Sequence, residues 1–90
     1  KSVILARMEA DEGLTISNVG GWHSDTRMLE WGGEAARTLC ERIIALADQF
    51  TVDLTAKDGP RYKWVPEMWA NVSPPSASNR HHCHPGSFWS

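Results

Sequence analysis

The sequence EAARTLCERIIALADQF, residues 34–50, decides the fold prediction because its apolar residues repeat with a helical period. The apolar positions are Ala36, Leu39, Cys40, Ile43, Ala47 and Phe50. Charged side chains, among them Arg37 and Glu41, occupy other faces, which is the pattern of an amphipathic helix. At about 1.5 Å per residue the helix is roughly 25 Å long, which suits packing across the outside of a sheet. We therefore predict a mixed α/β (α+β) fold with one long helix over about residues 34–50.

The chain before this helix is divided by two glycine pairs, and its elements are short. We predict a loop through Trp22 and His23, where a glycine pair precedes two bulky side chains. A lone histidine in such a loop is typically a surface hydrogen-bonding group. Ser24 or Asp25 is a candidate cap for a short helical turn over residues 26–31.

The chain after the helix reads as extended structure broken by turns. We predict a short strand over residues 51–55, a turn at residues 58–60 and a longer strand in RYKWVPEMWANVS, residues 61–73. Pro66 places the longer strand at a sheet edge or bulge. Alternation puts Tyr62, Trp64, Met68, Ala70 and Val72 on one face. It puts Lys63, Glu67, Trp69 and Asn71 on the other, a mixed face suited to lining a pocket.

Composition indicates a globular domain and argues against two classes of partner. The 90 residues are 41% hydrophobic and 22% charged, close to the globular average. A net charge of −2 without a basic run argues against nucleic acid. The longest apolar run, residues 43–47, is far shorter than the ~20 residues of a membrane helix, and no signal peptide is recognisable. Because Cys40 falls on the apolar side of the helix rather than pairing with Cys83, we predict a reduced, cytoplasmic protein.

Three of the 4 histidines lie close together in NRHHCHPGSFWS, residues 79–90. We predict a metal-ligand strand from about residue 79, in which alternation brings His82 and His84 to one face. Two neutral imidazoles at this spacing can bind one metal ion from a single strand. The competing interpretation is a solvated loop whose histidines have no chemical role.

Two separated blocks carry a more specific signal. They are SNVGGWHSD, residues 17–25, and WANVSPPSASNRHHCHPGSFWS, residues 69–90. Together they resemble a family of 2-oxoglutarate/Fe(II)-dependent oxygenases known mainly from bacterial genomes, with Ser-Asn-x-Gly-Gly-Trp-His/Gln-Ser, a helix, Trp-x-Asn-Val and Asn-x-x-His-x-His-Pro-x-Ser. The matching positions are Ser17, Asn18, Gly20, Gly21, Trp22, His23, Ser24, Trp69, Asn71, Val72, Asn79, His82, His84, Pro85 and Ser87. The resemblance therefore covers most of the chain from Ser17 onward.

The resemblance implies a double-stranded β-helix, a cupin-like jelly roll of about eight strands. Since the chain has room for only two or three, we expect residues 1–90 to be a single partial domain, the N-terminal portion of an oxygenase jelly roll, inactive alone. The resemblance also implies Fe(II), the co-substrate 2-oxoglutarate and dioxygen. His82 would be the first metal ligand, and His84 would take the place usually held by Asp or Glu. In that place His84 would either bind the metal itself or lie beside a water molecule that fills the position. Asn71 and Trp69 are candidate contacts to the co-substrate.

Two other function classes stay open beside the oxygenase. A non-catalytic jelly-roll binding module would hold a small ligand or partner without redox chemistry. A zinc-stabilised structural module would recruit Cys83 and His81, which the strand alternation places opposite the His82 face, with Cys40 as the other thiol. An incomplete barrel exposes strand edges, so a homo-oligomer is a further expectation. The substrate is not indicated by any motif.

Overall fold

The computed structural model describes residues 2–52 and 63–90, in which three helices and four short strands form. The helices are α1 (Val3–Ala10), α2 (Met28–Trp31) and α3 (Gly33–Phe50). The strands are β1 (Asn18–Val19), β2 (Trp22–His23), β3 (Asn71–Val72) and β4 (Ser78–Asn79). Thr51 and Val52 have no regular secondary structure, and the rest of the predicted 51–55 strand lies outside the described residues, as does the predicted turn at residues 58–60.

The long helix predicted over residues 34–50 is confirmed as α3. Its buried side consists of Ala36 and Cys40, and its neighbour in the fold is α2. Four of its large apolar side chains are more than half exposed, at Leu39, Ile43, Leu46 and Phe50. Within the described residues, α3 therefore packs along a narrower stripe than its sequence pattern provides.

The short helix before α3 starts later than predicted and is capped differently. Helix α2 begins after Arg27, whose side chain makes no capping hydrogen bond. Asp25 instead accepts hydrogen bonds from the backbone N–H of Arg27 at 3.0 Å and from the indole N–H of Trp31 at 2.9 Å. Its carboxylate therefore stabilises the turn before α2 without capping the helix. The prediction of Ser24 or Asp25 as the cap is wrong because both side chains bond elsewhere.

Antiparallel pairing joins the two blocks that are far apart in sequence. Strand β1 pairs with β4 through Asn18↔Asn79 and Val19↔Ser78, and β2 pairs with β3 through Trp22↔Val72 and His23↔Asn71. Leu14 forms an isolated bridge to the other side of His23. The loop predicted through Trp22 and His23 is therefore wrong, because distant backbone partners draw these residues into a sheet.

The predicted strand over residues 61–73 is mostly irregular in the part that the structure describes. Only Asn71 and Val72 form a strand, with a parallel bridge from Met68 to Arg27 upstream. The alternation of burial survives without the regular strand: Ala70 is buried, whereas its neighbour Asn71 is exposed. The predicted jelly roll stays a prediction, because four two-residue strands do not define an eight-stranded architecture.

Helix α1 is held to the body by polar contacts, since none of its side chains is buried. Arg7 donates to Asp25 at 3.2 Å and forms an ion pair with Asp11 at 3.4 Å. Its guanidinium carbon also lies 5.3 Å from the ring centroid of Trp31, a cation–π geometry. Asp25 thus connects α1 to α2.

The acid stability of this connection is testable at Asp25. The indole N–H of Trp31, the backbone N–H of Arg27 and the Arg7 guanidinium lower the pKa of the Asp25 carboxyl below its ordinary 3.8, against a raising effect of burial. Because the pKa is depressed in the folded state, the stabilisation is present above pH 3.8 and is lost as pH falls through the folded value. We expect the melting temperature of the wild type to drop below about pH 4, and that of Asp25→Asn to lack this component.

Circular dichroism melts between neutral and acidic pH measure this effect. Glu41→Gln removes an exposed carboxylate on α3 and serves as the matched control, with the wild-type pH profile expected. An Asp25→Asn profile as steep in acid as the wild type would contradict the assignment.

Candidate functional site

The segment that carries the histidine pair follows β4 and has no regular strand. After Asn79 the backbone N–H of Arg80 donates to the Ser17 carbonyl, and the chain then leaves β1. His82 and His84 lie in an exposed, irregular stretch that turns at Pro85. The predicted ligand strand therefore does not extend to the two histidines, because no described strand pairs with the backbone beyond Arg80.

The two histidine side chains nevertheless come together. The ring centroids of His82 and His84 are 4.9 Å apart, with the planes at 68°. Nδ1 of His82 lies 2.7 Å from the carbonyl oxygen of Arg80. A carbonyl only accepts hydrogen bonds, so Nδ1 is the donor in this contact, and the tautomer that donates from Nδ1 leaves the lone pair on Nε2. A backbone carbonyl that fixes one ring nitrogen in this way is a common support for a metal-ligating histidine.

A row of rings connects this exposed pair to the interior. The His84 ring lies nearly parallel to Trp69, with 5.9 Å between centroids and 20° between planes. Trp69 lies nearly parallel to His23, at 5.8 Å and 14°. We call the four side chains His82, His84, Trp69 and His23 the ring row. It begins at the surface and ends at a histidine that is only 5% exposed.

The buried end of the ring row is fixed by hydrogen bonds. Nδ1 of His23 lies 2.6 Å from the Ser24 carbonyl, and the His23 carbonyl accepts the N–H of Leu14 at 2.7 Å. Ser24 is 1% exposed and pairs twice with Ala70: its N–H donates to the Ala70 carbonyl, and its hydroxyl oxygen accepts the Ala70 N–H. The Ser24 hydroxyl donates in turn to the Asp25 carbonyl at 2.7 Å. Because Trp69 is the neighbour of Ala70 in the chain, these buried hydrogen bonds fix the backbone next to the indole.

His23 and Ser24 were matched to the first block of the resemblance, but neither residue was given a role in the site. His23 was expected at the surface of a loop, and this is wrong because its ring is buried against Trp69. No local signal identifies the contact, since it depends on the pairing of β2 with β3 across a long sequence separation. The mixed face predicted for Trp69 was the nearest indication.

The other predicted site residues lie outside the ring row. Asn71 is exposed and pairs through its backbone with His23, and its predicted contact to the co-substrate stays a prediction. Cys83 is exposed and free, whereas Cys40 is buried in α3, as expected from the helix pattern. A shallow depression on α3, lined by Glu34, Ala35, Thr38, Leu39 and Arg42, includes none of the histidines.

The two imidazoles are a donor pair that several divalent transition metals accept. Imidazole nitrogens suit Fe(II), Zn(II) and other divalent transition metals, and adjacent rings can supply two of the ligands. Within residues 2–52 and 63–90, no group of three His, Cys, Asp or Glu side chains is placed to hold a metal ion. The pair therefore needs at least one further ligand, from water, co-substrate or another protein group, to complete a site.

Comparison with known proteins finds no matching family model, no matching curated protein and no matching solved structure. Among the described residues, no helix combines the length and the apolar character that crossing a bilayer demands. The assignment of function therefore depends on the ring row and on the resemblance carried by the two sequence blocks.

Proposed function

We propose that His82 and His84 bind Fe(II) and that the chain forms part of a 2-oxoglutarate- and Fe(II)-dependent dioxygenase that hydroxylates an unassigned substrate. The observation that carries the proposal is the approach of the two imidazoles to 4.9 Å, with Nδ1 of His82 tied to a backbone carbonyl. Support also comes from the resemblance, whose two blocks are the segments that pair as β1 with β4 and β2 with β3.

The protein groups have separable roles in this proposal. His82 would bind the metal through the lone pair of Nε2. The Arg80 carbonyl accepts a hydrogen bond from the proton-bearing Nδ1 and so favours the tautomer that leaves Nε2 free. His84 occupies the position where such sites usually have a carboxylate, so the bound ion keeps a greater net positive charge. When bound with 2-oxoglutarate, the ferrous ion supplies the activation of dioxygen for hydroxylation of a C–H bond. Asn71 and Trp69 are the proposed co-substrate contacts.

The remaining parts of the proposal concern surroundings and partners. A cytoplasmic location suits it, because a reducing compartment keeps iron ferrous and leaves thiols such as exposed Cys83 unpaired. The small-molecule partners are 2-oxoglutarate and dioxygen, with no role for nucleic acid or membrane. A jelly roll with uncovered strand edges also favours association with a second copy of the chain.

His82→Ala is expected to weaken Fe(II) binding by at least about 100-fold, since loss of even an outer hydrogen-bond partner typically costs 10- to 100-fold. The measurement is an anaerobic Fe(II) titration with 2-oxoglutarate, monitored by the metal-to-ligand charge-transfer band. His81→Ala removes an exposed neighbouring imidazole and is the matched control, with an unchanged band expected.

Two results would count against the oxygenase. A charge-transfer band that survives unchanged in His82→Ala removes His82 from the site. Unfolding of the protein by a chelator would favour the zinc-stabilised structural module, because a structural metal contributes directly to folding free energy.

A further inference from the structure

We propose that Trp69, supported by the buried His23, is a positioning residue that orients His84 for metal binding. This role rests on the proposed function, because it concerns the same histidine pair. It differs from a co-substrate contact in that Trp69 acts through the imidazole of His84.

The first argument comes from the backbone around His84. Residues 80–84 are exposed and lie outside any strand, so secondary structure does not set the direction of the His84 side chain. The described contacts of this residue are its ring packing against Trp69, its ring packing against His82 and a backbone bond from the Ser87 N–H to its carbonyl. His82 and Ser87 belong to the same exposed segment. Trp69 is therefore the contact that ties the His84 ring to the sheet.

The second argument is that Trp69 itself is firmly placed. Its neighbour Ala70 is buried, and both backbone polar groups of Ala70 bond to Ser24. The His23 ring packs on the indole at 14° between planes and is held through Nδ1 by the Ser24 carbonyl. A side chain packed in this way offers a fixed surface, and aromatic rings prefer a limited set of offset geometries on it.

The third argument concerns chelation by two flexible ligands. An imidazole pair binds a metal tightly only if both nitrogens already face one point, because ordering the side chains otherwise opposes binding. His82 obtains its orientation from the Arg80 carbonyl. His84 obtains its orientation from Trp69, so the two ligands are fixed by separate supports, one local and one from the sheet.

The test uses the 90-residue chain and Co(II), an air-stable spectroscopic substitute for Fe(II), in titrations followed by absorbance and calorimetry. Trp69→Leu is expected to weaken Co(II) binding about five- to tenfold, the range that loss of an aromatic pair allows. Trp69→Phe keeps a stacking ring and is expected to bind nearly as the wild type does. Trp89→Leu is the matched control, since Trp89 is exposed and bonds to Thr51 instead of a histidine.

A measurement without metal keeps the proposal testable even if Trp69→Leu folds poorly. In the wild type, nuclear Overhauser effects should join the Trp69 indole to the His84 imidazole, and the indole ring current should shift the His84 ring protons. The His84 shift should persist in Trp89→Leu and change in His23→Leu, where Trp69 loses its support. Absence of the indole–imidazole effects in the wild type would overturn the proposal.

The metal titrations separate the two proposals. Wild-type binding that is retained in Trp69→Leu overturns the positioning role and leaves the iron site standing. A wild type that binds neither Co(II) nor Fe(II), while the His84 ring shift is present, overturns the iron site and the positioning role with it. Weakened binding in Trp69→Leu with recovery in Trp69→Phe supports both.

Discussion

Gly13→Ala is expected to destabilise the fold by about 3 kcal/mol, the sum of a backbone and a packing cost. Gly13 has φ +79°, a left-handed conformation that costs a residue with a Cβ about 1–2 kcal/mol. An added Cβ would also lie 2.6 Å from the His23 carbonyl oxygen and 2.6 Å from Nε1 of Trp22. Overpacking of this kind typically costs about 1–3 kcal/mol more.

The clash falls on contacts that hold residues 11–14 against β2. The His23 carbonyl already accepts the N–H of Leu14, and the Trp22 indole donates to the Asp11 carbonyl at 2.9 Å. Relieving the overlap would require the chain around Gly13 to move away from β2, which lengthens both hydrogen bonds. The substitution should therefore loosen the buried end of the ring row as well as lower the free energy of unfolding.

Chemical denaturation of Gly13→Ala and Gly33→Ala separates the two costs. Gly33 has φ +78°, yet an added Cβ there meets nothing within 4 Å. Gly33→Ala should thus lose only the backbone component, about 1–2 kcal/mol. Equal losses of unfolding free energy in Gly13→Ala and Gly33→Ala would show that the short Cβ contacts at Gly13 add no packing cost.

Helix α3 was predictable from sequence because its signal is local. The apolar spacing over residues 34–50 needs no knowledge of the rest of the chain, and Gly33–Phe50 is helical. How much of its apolar face is covered was not predictable, since Leu39 and Ile43 match the pattern as well as buried Cys40 does. Coverage depends on what packs against the helix, and periodicity contains no information about the neighbour.

The prediction that His82 and His84 lie together rested on strand alternation, and that reason does not describe the structure. Strand alternation selected His82 and His84, and their rings do approach each other, but along an irregular segment. The two imidazoles meet edge to face, and the His84 ring also packs on Trp69, so ring packing accompanies the approach where strand geometry is lacking. His23 lies in the first block of the resemblance, but its burial was not predictable, because it depends on the pairing of β2 with β3, and antiparallel register between distant segments has no local signature.

The pairing of β2 with β3 explains the roles of Asn18 and Gly21 in the block SNVGGWHSD. Asn18 accepts the N–H of Ile16 and donates to the carbonyls of Leu14 and Gly21, which fixes the turn between β1 and β2. A Cβ at Gly21 would lie 3.0 Å from the Val72 carbonyl oxygen, so a side chain there would push β2 away from β3. In this arrangement the first block forms the support under Trp69, and the second block carries the two proposed metal ligands.

Ser24→Ala is expected to lower the free energy of unfolding by about 2–3 kcal/mol, because it removes the hydroxyl and leaves two polar groups unpaired. The hydroxyl oxygen accepts the buried Ala70 N–H at 2.9 Å, across 46 residues of sequence, and donates to the Asp25 carbonyl at 2.7 Å. An unsatisfied buried group typically costs about 1–3 kcal/mol, so the buried Ala70 N–H contributes most of the loss and the part-buried Asp25 carbonyl contributes less. Because Ser24 is only 1% exposed, water cannot reach the Ala70 N–H to replace the lost hydroxyl unless the surrounding structure opens.

Ser78→Ala is the matched control, since Ser78 is an exposed serine in β4 and its backbone pairing does not require the side chain. Chemical denaturation should show little change for it, within about 0.5 kcal/mol. Comparable losses in Ser24→Ala and Ser78→Ala would contradict the stabilising role of the hydrogen bonds between the Ser24 hydroxyl and Ala70 and Asp25. Because Ser24 holds Ala70, Ser24→Ala should also alter the His84 ring-proton shifts under conditions where the protein stays folded. The His84 shifts thus test whether Ser24 and Ala70 hold Trp69 in place, and they do so without a measurement of unfolding free energy or of metal binding.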